Sequence, residues 1–431
     1  MLDVAVVGAG NRGAVHLDTI SRLTDLYRLV GVCDAREERR TWAATTFGAP
    51  VFDHPVTLLE EARPQLVVVV VPPDAHHLIT AAAAARGCHV LSETPIATTL
   101  AMADHMIESC RRAGVVLEVA EQVWRWPQER LKRLAVDAGL IGQVTQVHLW
   151  YRSGSYHGMN ALRRFITSTP RRVLGLSRDF PVAPFLDLDG HERRHQTWEL
   201  GAIDFEGGQL ALYQWPVGSD RGNLWEVIGT EGAIMGADLL RFDGPRRAGR
   251  RVPIEPLYEP APDGKRALVA VRLSLEPGAG NAESASPGRT LEWENPYRRY
   301  QLPGPDDVAR ADIYAGMHEA ITGSAGPHPP TAGAGAARAE APEWPTSPPP
   351  TSRHYGGPNA RADQALLVAM RESARRGSSW LDLPLPAAET TAFERQLHAE
   401  FEQTYGAGPF DDPERLLGRL FPRRGLTQTV H

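Results

Sequence analysis

Short apolar runs alternate with longer amphipathic stretches from the first residue to about Val119. This alternation is typical of an α/β domain in which helices cover both faces of a doubly wound parallel sheet. The longest apolar run, Leu66 to Val71, lies between prolines and is far shorter than the ~20 residues of a membrane span. The predicted strands run from Val4 to Val7, Leu29 to Cys33, Leu66 to Val71, His89 to Leu91 and Val115 to Val119, and the predicted helices from Ala14 to Leu23, Arg36 to Thr46, Ala75 to Arg86 and Leu100 to Ala113.

Beyond Trp126 the pattern becomes that of an α+β domain with a mostly antiparallel sheet. Several apolar segments follow one another without helices between them, and Gly207-Gly208 and Asp263-Gly264 are typical of hairpin turns. The predicted strands run from Gln143 to Arg152, Val173 to Arg178, Thr197 to Phe205, Gln209 to Trp215, Leu224 to Ile228 and Ala267 to Leu273, and the predicted helices from Gln128 to Asp137, Asp306 to Thr322 and Asn359 to Arg376.

The two patterns divide the chain into two domains and a tail. Residues 1–122 form the first domain, residues 123–386 the second, and residues 387–431 a tail with apolar residues at helical spacing, which predicts helices packed on the body. Residues 323–354 are rich in proline, glycine, serine and alanine and have few large apolar groups. Such a segment buries too little surface to offset the entropy of ordering, which predicts a mobile loop.

Composition and charge narrow the classes of partner. A chain of 431 residues with 42% apolar content can bury an ordinary core. A formal net charge of −6 offers no general attraction to nucleic acid or to an anionic membrane, so we expect a small-molecule partner. The chain has three cysteines without metal-ligand spacing, which we interpret as buried thiols, and we predict no metal site. Leu2 begins a strand without a preceding signal segment, so we expect a cytoplasmic protein.

A glycine-rich turn joins the first strand to the first helix. Gly8, Gly10 and Gly13 permit a tight turn, and with Asn11 and Arg12 they bring backbone N–H groups and a helix N-terminus to one place. This pattern between a strand and a helix is typical of a site for the pyrophosphate of a dinucleotide.

Asp34 ends the second strand, where a carboxylate can bind the adenosine ribose and disfavour a 2′-phosphate. NAD is therefore favoured over NADP, although Arg36, Arg39 or Arg40 could reach a phosphate. Pro72 and His76 follow the third predicted strand and border the crevice at the strand ends. His76 either contacts the ligand or braces this turn.

The chain resembles the Gfo/Idh/MocA family, named after glucose-fructose oxidoreductase and inositol dehydrogenase. The resemblance implies a Rossmann domain followed by an α+β domain with a large open sheet. It also implies NAD(P)-dependent oxidation or reduction of a sugar or cyclitol, and a homodimer or homotetramer formed through that sheet. It depends on the glycine turn, Pro72 to His76, Gly87 to Pro95, Ala113-Gly114, Arg125 to Pro127, Gly139 to Gly142, Gly229 to Gly232 and Glu372 to Ala374.

The chain departs from the family at two catalytic positions. Family members typically have Glu-Lys-Pro with a cis proline, whereas here Thr94 stands between Glu93 and Pro95. Threonine cannot replace lysine as a cationic or titrating group. A second family motif has a histidine followed three residues later by an aspartate, and it corresponds here to His157 and Asn160. Asn160 can orient hydroxyl groups but cannot take a proton.

His157 is accordingly the predicted acid or base, and Thr94 and Asn160 are predicted to orient the substrate. Tyr156 adjoins His157 and is a candidate proton donor. Glu93 and Glu121 end parallel strands where family members keep polar residues near the cofactor, and Glu121 is the second candidate base.

Three functions remain open after these departures. The first is an NAD-dependent oxidoreductase that acts on a sugar, cyclitol or similar polyol. The second is a glycoside-cleaving enzyme that uses tightly bound NAD+ in a cycle of oxidation, elimination and reduction. The third is a non-catalytic NAD-bound regulator. A sheet face with Trp198, Leu200, Leu212 and Trp215 would bind a second copy of the chain.

Overall fold

The computed structural model describes residues 1–151, 154–186, 192–215, 224–242, 249, 251–261, 264–275, 289–323, 354–385 and 391–422. Within these ranges, none of the helices has the length and apolar character needed to cross a membrane. Residues 324–353, almost all of the predicted mobile loop, lie outside the described residues, as does the end of the tail from residue 423.

The first domain contains a six-stranded parallel sheet in the order β3-β2-β1-β4-β5-β6. Val4 to Val7 and Leu66 to Val69 are fully buried because helices cover both faces. This is the predicted doubly wound sheet. Its elements are β1 (Leu2–Val7), α1 (Asn11–Arg22), β2 (Tyr27–Cys33), α2 (Glu37–Phe47), β3 (Val51–Phe52), α3 (Pro55–Ala62), β4 (Leu66–Val69), α4 (His76–Ala84), β5 (His89–Ser92), α5 (Leu100–Ala113) and β6 (Leu117–Val119).

The second domain is built on a large open sheet in the order β16-β15-β14-β13-β12-β11-β7-β10-β9-β8-β17 among the described residues. β7 and β10 are parallel, and the other neighbours are antiparallel, as predicted. Its elements are α6 (Pro127–Asp137), β7 (Val144–Trp150), α7 (Ser155–Phe165), β8 (Pro170–Leu186), β9 (Glu192–Phe205), β10 (Leu210–Trp215), β11 (Leu224–Gly229), β12 (Gly232–Met235), β13 (Asp238–Arg241), β14 (Arg251–Pro260), β15 (Arg266–Leu275), β16 (Arg289–Glu294), α8 (Pro305–Thr322), α9 (Gly357–Arg375) and β17 (Leu381–Asp382).

The structure contradicts the prediction of which residues lie on the outer face of this sheet for one residue, Trp215. Successive residues of a strand point to opposite faces. Glu199 of β9 is directed at α9, and Trp215 pairs with it across the strands and lies on the same face. Leu200 and Leu212 have the opposite parity and lie on the outer face. The assignment of Trp215 to that outer face was therefore wrong.

Three helices from later in the sequence pack on the first domain. Tyr314 of α8 accepts a hydrogen bond from the Tyr27 hydroxyl at its backbone carbonyl, so α8 joins the first domain's core. The tail forms α10 (Ala392–Tyr405) and α11 (Pro413–Leu420). Phe401 of α10 and Leu416 of α11 are buried in the same core cluster as residues of α4 and α5. The described part of the tail therefore contains two helices.

Candidate active site

The glycine turn brings backbone into contact with backbone. Gly8 has a φ of 103°, and a Cβ built on it would lie 2.0 Å from the Val70 carbonyl oxygen. A Cβ on Gly13 would lie 2.0 Å from the Gly8 oxygen. Gly10 is the N-cap of α1 and offers no side-chain cap, and Asn11 is exposed. The first N–H groups of α1 thus suit a pyrophosphate, which would satisfy donors that the helix itself leaves unpaired.

Asp34 stabilises the same turn. Its Oδ2 accepts a hydrogen bond from the Ala9 N–H at 2.7 Å, and its Oδ1 accepts one from the Arg36 N–H at 2.9 Å. Arg39 donates to the Ala9 carbonyl, and Arg40 donates to the Asp34 carbonyl. Oδ1 also accepts from the Arg36 Nε at 3.3 Å, whereas Oδ2 keeps a lone pair for a ribose hydroxyl. All three nearby arginines contact this loop or its carboxylate.

Glu93 belongs to a buried network that faces α1. Arg12 lies 2.6 Å from its carboxylate, and the His16 Nε2 lies 3.0 Å from it. Burial would raise the pKa of Glu93, but the hydrogen bond from His16 and the charge of Arg12 hold that pKa well below its usual range. Burial lowers the pKa of His16, so a neutral ring donates from Nε2 to Glu93 while its Nδ1 accepts from the Tyr314 hydroxyl. Glu93 therefore connects the glycine turn to the end of β5.

Thr94 lies between this network and the second domain. Its N–H and hydroxyl both donate to Oε2 of Glu93, at 2.8 Å and 3.1 Å. Its hydroxyl oxygen is also 3.4 Å from the Tyr156 hydroxyl of α7. The Thr94–Pro95 bond is cis, as the resemblance implies. Threonine thus bridges a carboxylate and a phenol at the position of the family's lysine.

His76 braces the turns around Pro95 and Pro72. Its ring is fully buried, with Nε2 2.9 Å from the Val71 carbonyl oxygen and Nδ1 3.1 Å from that of Pro95. Both ring nitrogens are therefore occupied by backbone, which favours bracing over ligand contact. Pro72, in the same turn, is exposed.

His157 and Glu121 form a buried pair. His157 lies in the first turn of α7, and its Nδ1 is 2.7 Å from the Glu121 carboxylate. Glu121 also accepts a hydrogen bond from the Val123 N–H at 3.0 Å. A carboxylate on Nδ1 fixes the neutral tautomer with its proton on Nδ1, which leaves the Nε2 lone pair to accept a proton. Glu121 thus contacts His157 at the end of β6.

Asn160, one turn along α7, is brought to a different network. It is 2% exposed, and its Nδ2 donates to Asp363 of α9 at 3.1 Å. Asp363 also pairs with Arg163 and accepts from the Tyr355 hydroxyl. The side chain of Asn160 is directed at this support between α7 and α9, away from Tyr156 and Thr94.

A cleft with a volume of about 770 Å³ adjoins Tyr156. It is bordered by Pro73 and Pro95 from the first domain and by α7, β9, α9 and α10. Burial raises the pKa of Tyr156 to about 12, so its hydroxyl keeps its proton at neutral pH. His157 is 4% exposed, and its ring centroid is 4.2 Å from that of Tyr156. Thr94 therefore connects Glu93, beside the glycine turn, to Tyr156 on the wall of the cleft.

The sequence did not identify the polar residues of this cleft. Glu199 accepts a hydrogen bond from the Ser155 hydroxyl at 3.0 Å and from two guanidinium nitrogens of Arg371 at 2.7 Å and 3.1 Å. Glu199 and Arg371 are 172 positions apart, so no local spacing connects them. The inward parity of Glu199 on its strand was the one available signal.

Comparisons with known proteins agree with this geometry. Residues 2–121 match the GFO_IDH_MocA family, described as an oxidoreductase family with an NAD-binding Rossmann fold. Inositol 2-dehydrogenase 2 of Saccharopolyspora erythraea is 30% identical over 215 residues, which are 49% of this chain and 63% of that protein. D-glucoside 3-dehydrogenase of Escherichia coli is 37% identical over 118 residues, 27% of this chain and 33% of that protein. The chain thus covers less than two thirds of either relative.

Solved structures agree with the fold of both domains. The WlbA dehydrogenase of Bordetella pertussis, in complex with NADH and UDP-GlcNAcA, has a TM-score of 0.57 at 18% identity and covers 89% of this chain and 98% of its own. A levoglucosan dehydrogenase in complex with NADH and levoglucosan has a TM-score of 0.62 at 16% identity, with coverage of 89% and 100%. At these identities the likeness concerns the fold.

The first domain is therefore an NAD-binding Rossmann domain. Residues 2–121 thus match the Gfo/Idh/MocA family of oxidoreductases, in agreement with the resemblance.

Proposed function

We propose that this protein is an NAD-dependent oxidoreductase that acts on a hydroxyl or keto carbon of a sugar, cyclitol or similar polyol. The observation that carries the proposal is the hydrogen-bonded chain of Glu93 and Thr94, which leads from Arg12 at the glycine turn to Tyr156 on the wall of the cleft. NAD, when bound, supplies the hydride acceptor or donor. The names of the two curated relatives, an inositol and a glucoside dehydrogenase, support the same substrate class.

The chain's own residues would divide the remaining work as follows. The uncapped N-terminus of α1 binds the pyrophosphate, and Asp34 binds the adenosine ribose, which favours NAD over NADP. His157 accepts the proton of the substrate hydroxyl at Nε2 because Glu121 occupies Nδ1. Tyr156 keeps its proton and orients the same hydroxyl, together with Thr94. In this arrangement a phenol and an imidazole share the role of the missing lysine.

The experiment that tests this function combines two measurements on freshly purified protein. Small molecules released by denaturation are quantified by mass spectrometry, and the absorbance of reduced nicotinamide is followed with NAD+ and a panel of sugars, cyclitols and glycosides. We expect net NADH formation with at least one polyol. Release of free sugar from a glycoside without net NADH would instead support the cleavage cycle that the loss of lysine at Thr94 leaves open. Bound NAD without turnover of any compound would support a regulator.

We also propose that the outer face of the large sheet binds a second copy of the chain. Trp198, Leu200 and Leu212 lie on this face and are each partly exposed. The far end of β8 adds Phe180 and Leu186, which pair with Gln196 and Glu192 at the parity of Leu200 and are 45% and 70% exposed. Contiguous apolar surface of this kind is typical of a protein interface.

Replacing both Leu200 and Leu212 with aspartate should therefore reduce the molar mass in solution to that of a monomer, because two charges would be buried unpaired at the interface. Light scattering after gel filtration measures this. Val51→Asp, a comparable charge at a 36% exposed position on β3, is the control and should leave the mass unchanged. A wild-type monomer would contradict the proposal.

A further inference from the structure

The cleft beside Tyr156 has two chemically different sides. Ser155, Glu199 and Arg371 form a hydrogen-bonded polar side next to Tyr156. The apolar residues Phe393 and Leu397, one turn apart on α10, form the adjoining side, where the Phe393 ring centroid is 5.5 Å from the guanidinium carbon of Arg371. A ligand that is hydroxylated throughout would leave this second side in contact with water or with its own polar groups.

Phe393 and Leu397 are available to a ligand because they take little part in the protein's core. Both are half-buried, and neither belongs to a buried hydrophobic cluster among the described residues. Phe401, two turns further along α10, is 5% exposed and packs in the core with α4 and α5. The packing of α10 therefore depends on Phe401, and the apolar pair is directed at the cleft.

The apolar side is held in place by hydrogen bonds at the start of α10. Glu394 forms a capping box with Thr391 and accepts a hydrogen bond from the Leu100 N–H at 2.7 Å. Glu372 of α9 accepts one from the Phe393 N–H at 3.0 Å. His398 is 3.0 Å from the Thr99 hydroxyl. These contacts fix Phe393 and Leu397 relative to α5 and α9, so a ligand would meet a preorganised surface.

The size of the cleft exceeds the needs of one small ring. Its volume of about 770 Å³ lies well within the range of about 300–1,000 Å³ that is typical of pockets for drug-sized ligands. A single hydroxylated ring on Tyr156 and Glu199 would leave the space along α10 unfilled. The volume and the two sides together indicate an amphipathic ligand.

We propose that the substrate is a glycoside with an apolar aglycone, which rests on the proposed function. Its hydroxylated ring faces Tyr156, Ser155 and Glu199, and its aglycone packs against Phe393 and Leu397. α10 is thus the element that distinguishes such a glycoside from a free sugar or cyclitol. It lies outside residues 2–121, which match the family model.

Matched pairs of methyl and phenyl pyranosides test the proposal, with both anomers of glucose, galactose and mannose. Binding is measured by calorimetry with NAD+ present, using His157→Ala so that no turnover disturbs the equilibrium, and rates of NADH formation are measured with the unmodified protein. We expect a phenyl glycoside to bind about 10- to 100-fold more tightly than its methyl partner, because a hydrophobic pocket discriminates by apolar contact. In a variant that also carries Phe393→Ala and Leu397→Ala, the preference should fall to about twofold.

Leu224→Ala is the control, since Leu224 is 38% exposed on β11 outside the cleft and its loss should leave the preference intact. Equal binding of phenyl and methyl partners, or binding of neither, would overturn the proposed substrate class. A preference for phenyl glycosides without NADH formation would support the apolar subsite but contradict the oxidoreductase function. NADH formation at equal rates with the phenyl and methyl glycosides, and unchanged in the variant with Phe393→Ala and Leu397→Ala, would support the oxidoreductase function and contradict the apolar subsite.

Discussion

His157→Ala is expected to lower kcat by about 10²- to 10⁴-fold and to leave the affinity for NAD unchanged. General acid–base groups contribute rate factors of this size. His157 Nδ1 is hydrogen-bonded to the Glu121 carboxylate, and the His157 ring packs against Tyr156. The proposed NAD contacts lie elsewhere, at Gly10 and Asp34, which follow other strands. Steady-state rates on the best substrate measure the first effect, and titration of protein fluorescence with NADH measures the second.

Two further observations separate chemistry from folding in this variant. Added imidazole should restore part of the rate, since it can fill the space of the missing ring and take the hydroxyl proton. Glu121→Gln should lower kcat by about 10- to 100-fold with KM nearly unchanged, because the carboxylate acts by orienting the histidine. In the His157→Ala background the same change should have almost no additional effect, since the two residues act as one unit. An unchanged kcat in His157→Ala would show that another group accepts the proton.

The Rossmann domain could be predicted because its signals are local. The glycine turn, the apolar strands and Asp34 occupy short segments whose meaning depends on nearest neighbours. β3 and α3 were not among the predicted elements, since β3 has two residues and α3 has eight. β8 was predicted to end at Arg178, whereas it extends to Leu186 despite Pro181 and Pro184, which normally interrupt a strand.

The active site was harder to predict because its contacts are distant in sequence. His157 and Glu121 were both candidates, but the pairing of their side chains, 36 positions apart, is a product of the tertiary fold. Glu199 and Arg371 gave no pattern that distinguishes a cleft residue from an ordinary strand or helix residue. The apolar residues of the tail were predicted to pack on the body, and the position of α10 places one of them, Phe393, at the cleft. The sequence thus identifies individual residues with suitable chemistry, whereas the structure is needed to identify the residues they contact.

The largest loss of stability is expected for Arg125→Ala. The Arg125 guanidinium is fully buried, 2.7 Å from Glu118 at the end of the parallel sheet and 3.1 Å from Asp312 of α8. Its Nε donates to the Glu121 carbonyl at 3.2 Å, and its guanidinium carbon lies 4.5 Å from the centroid of the Trp124 ring. Removal of one partner from a buried ion pair leaves the other charge uncompensated, which costs about 3–5 kcal/mol in the free energy of unfolding.

The pH dependence of this loss gives a sharper test than its size. Burial raises the pKa of Glu118 to about 7 from its usual 4.5, even with Arg125 present. The folded state therefore binds this proton more tightly than the unfolded state, and the group's stabilising contribution is lost as the pH rises from about 4.5 through 7. Without Arg125 the carboxylate becomes still harder to ionise, so the difference between variant and wild type should shrink as the pH falls toward 5. Urea unfolding at several pH values measures it, with Arg112→Ala, an exposed partner of Glu108, as the control that should change little at any pH. A difference that stays constant with pH would mean that Arg125 stabilises the fold through its contacts with Asp312 and Trp124 rather than through Glu118.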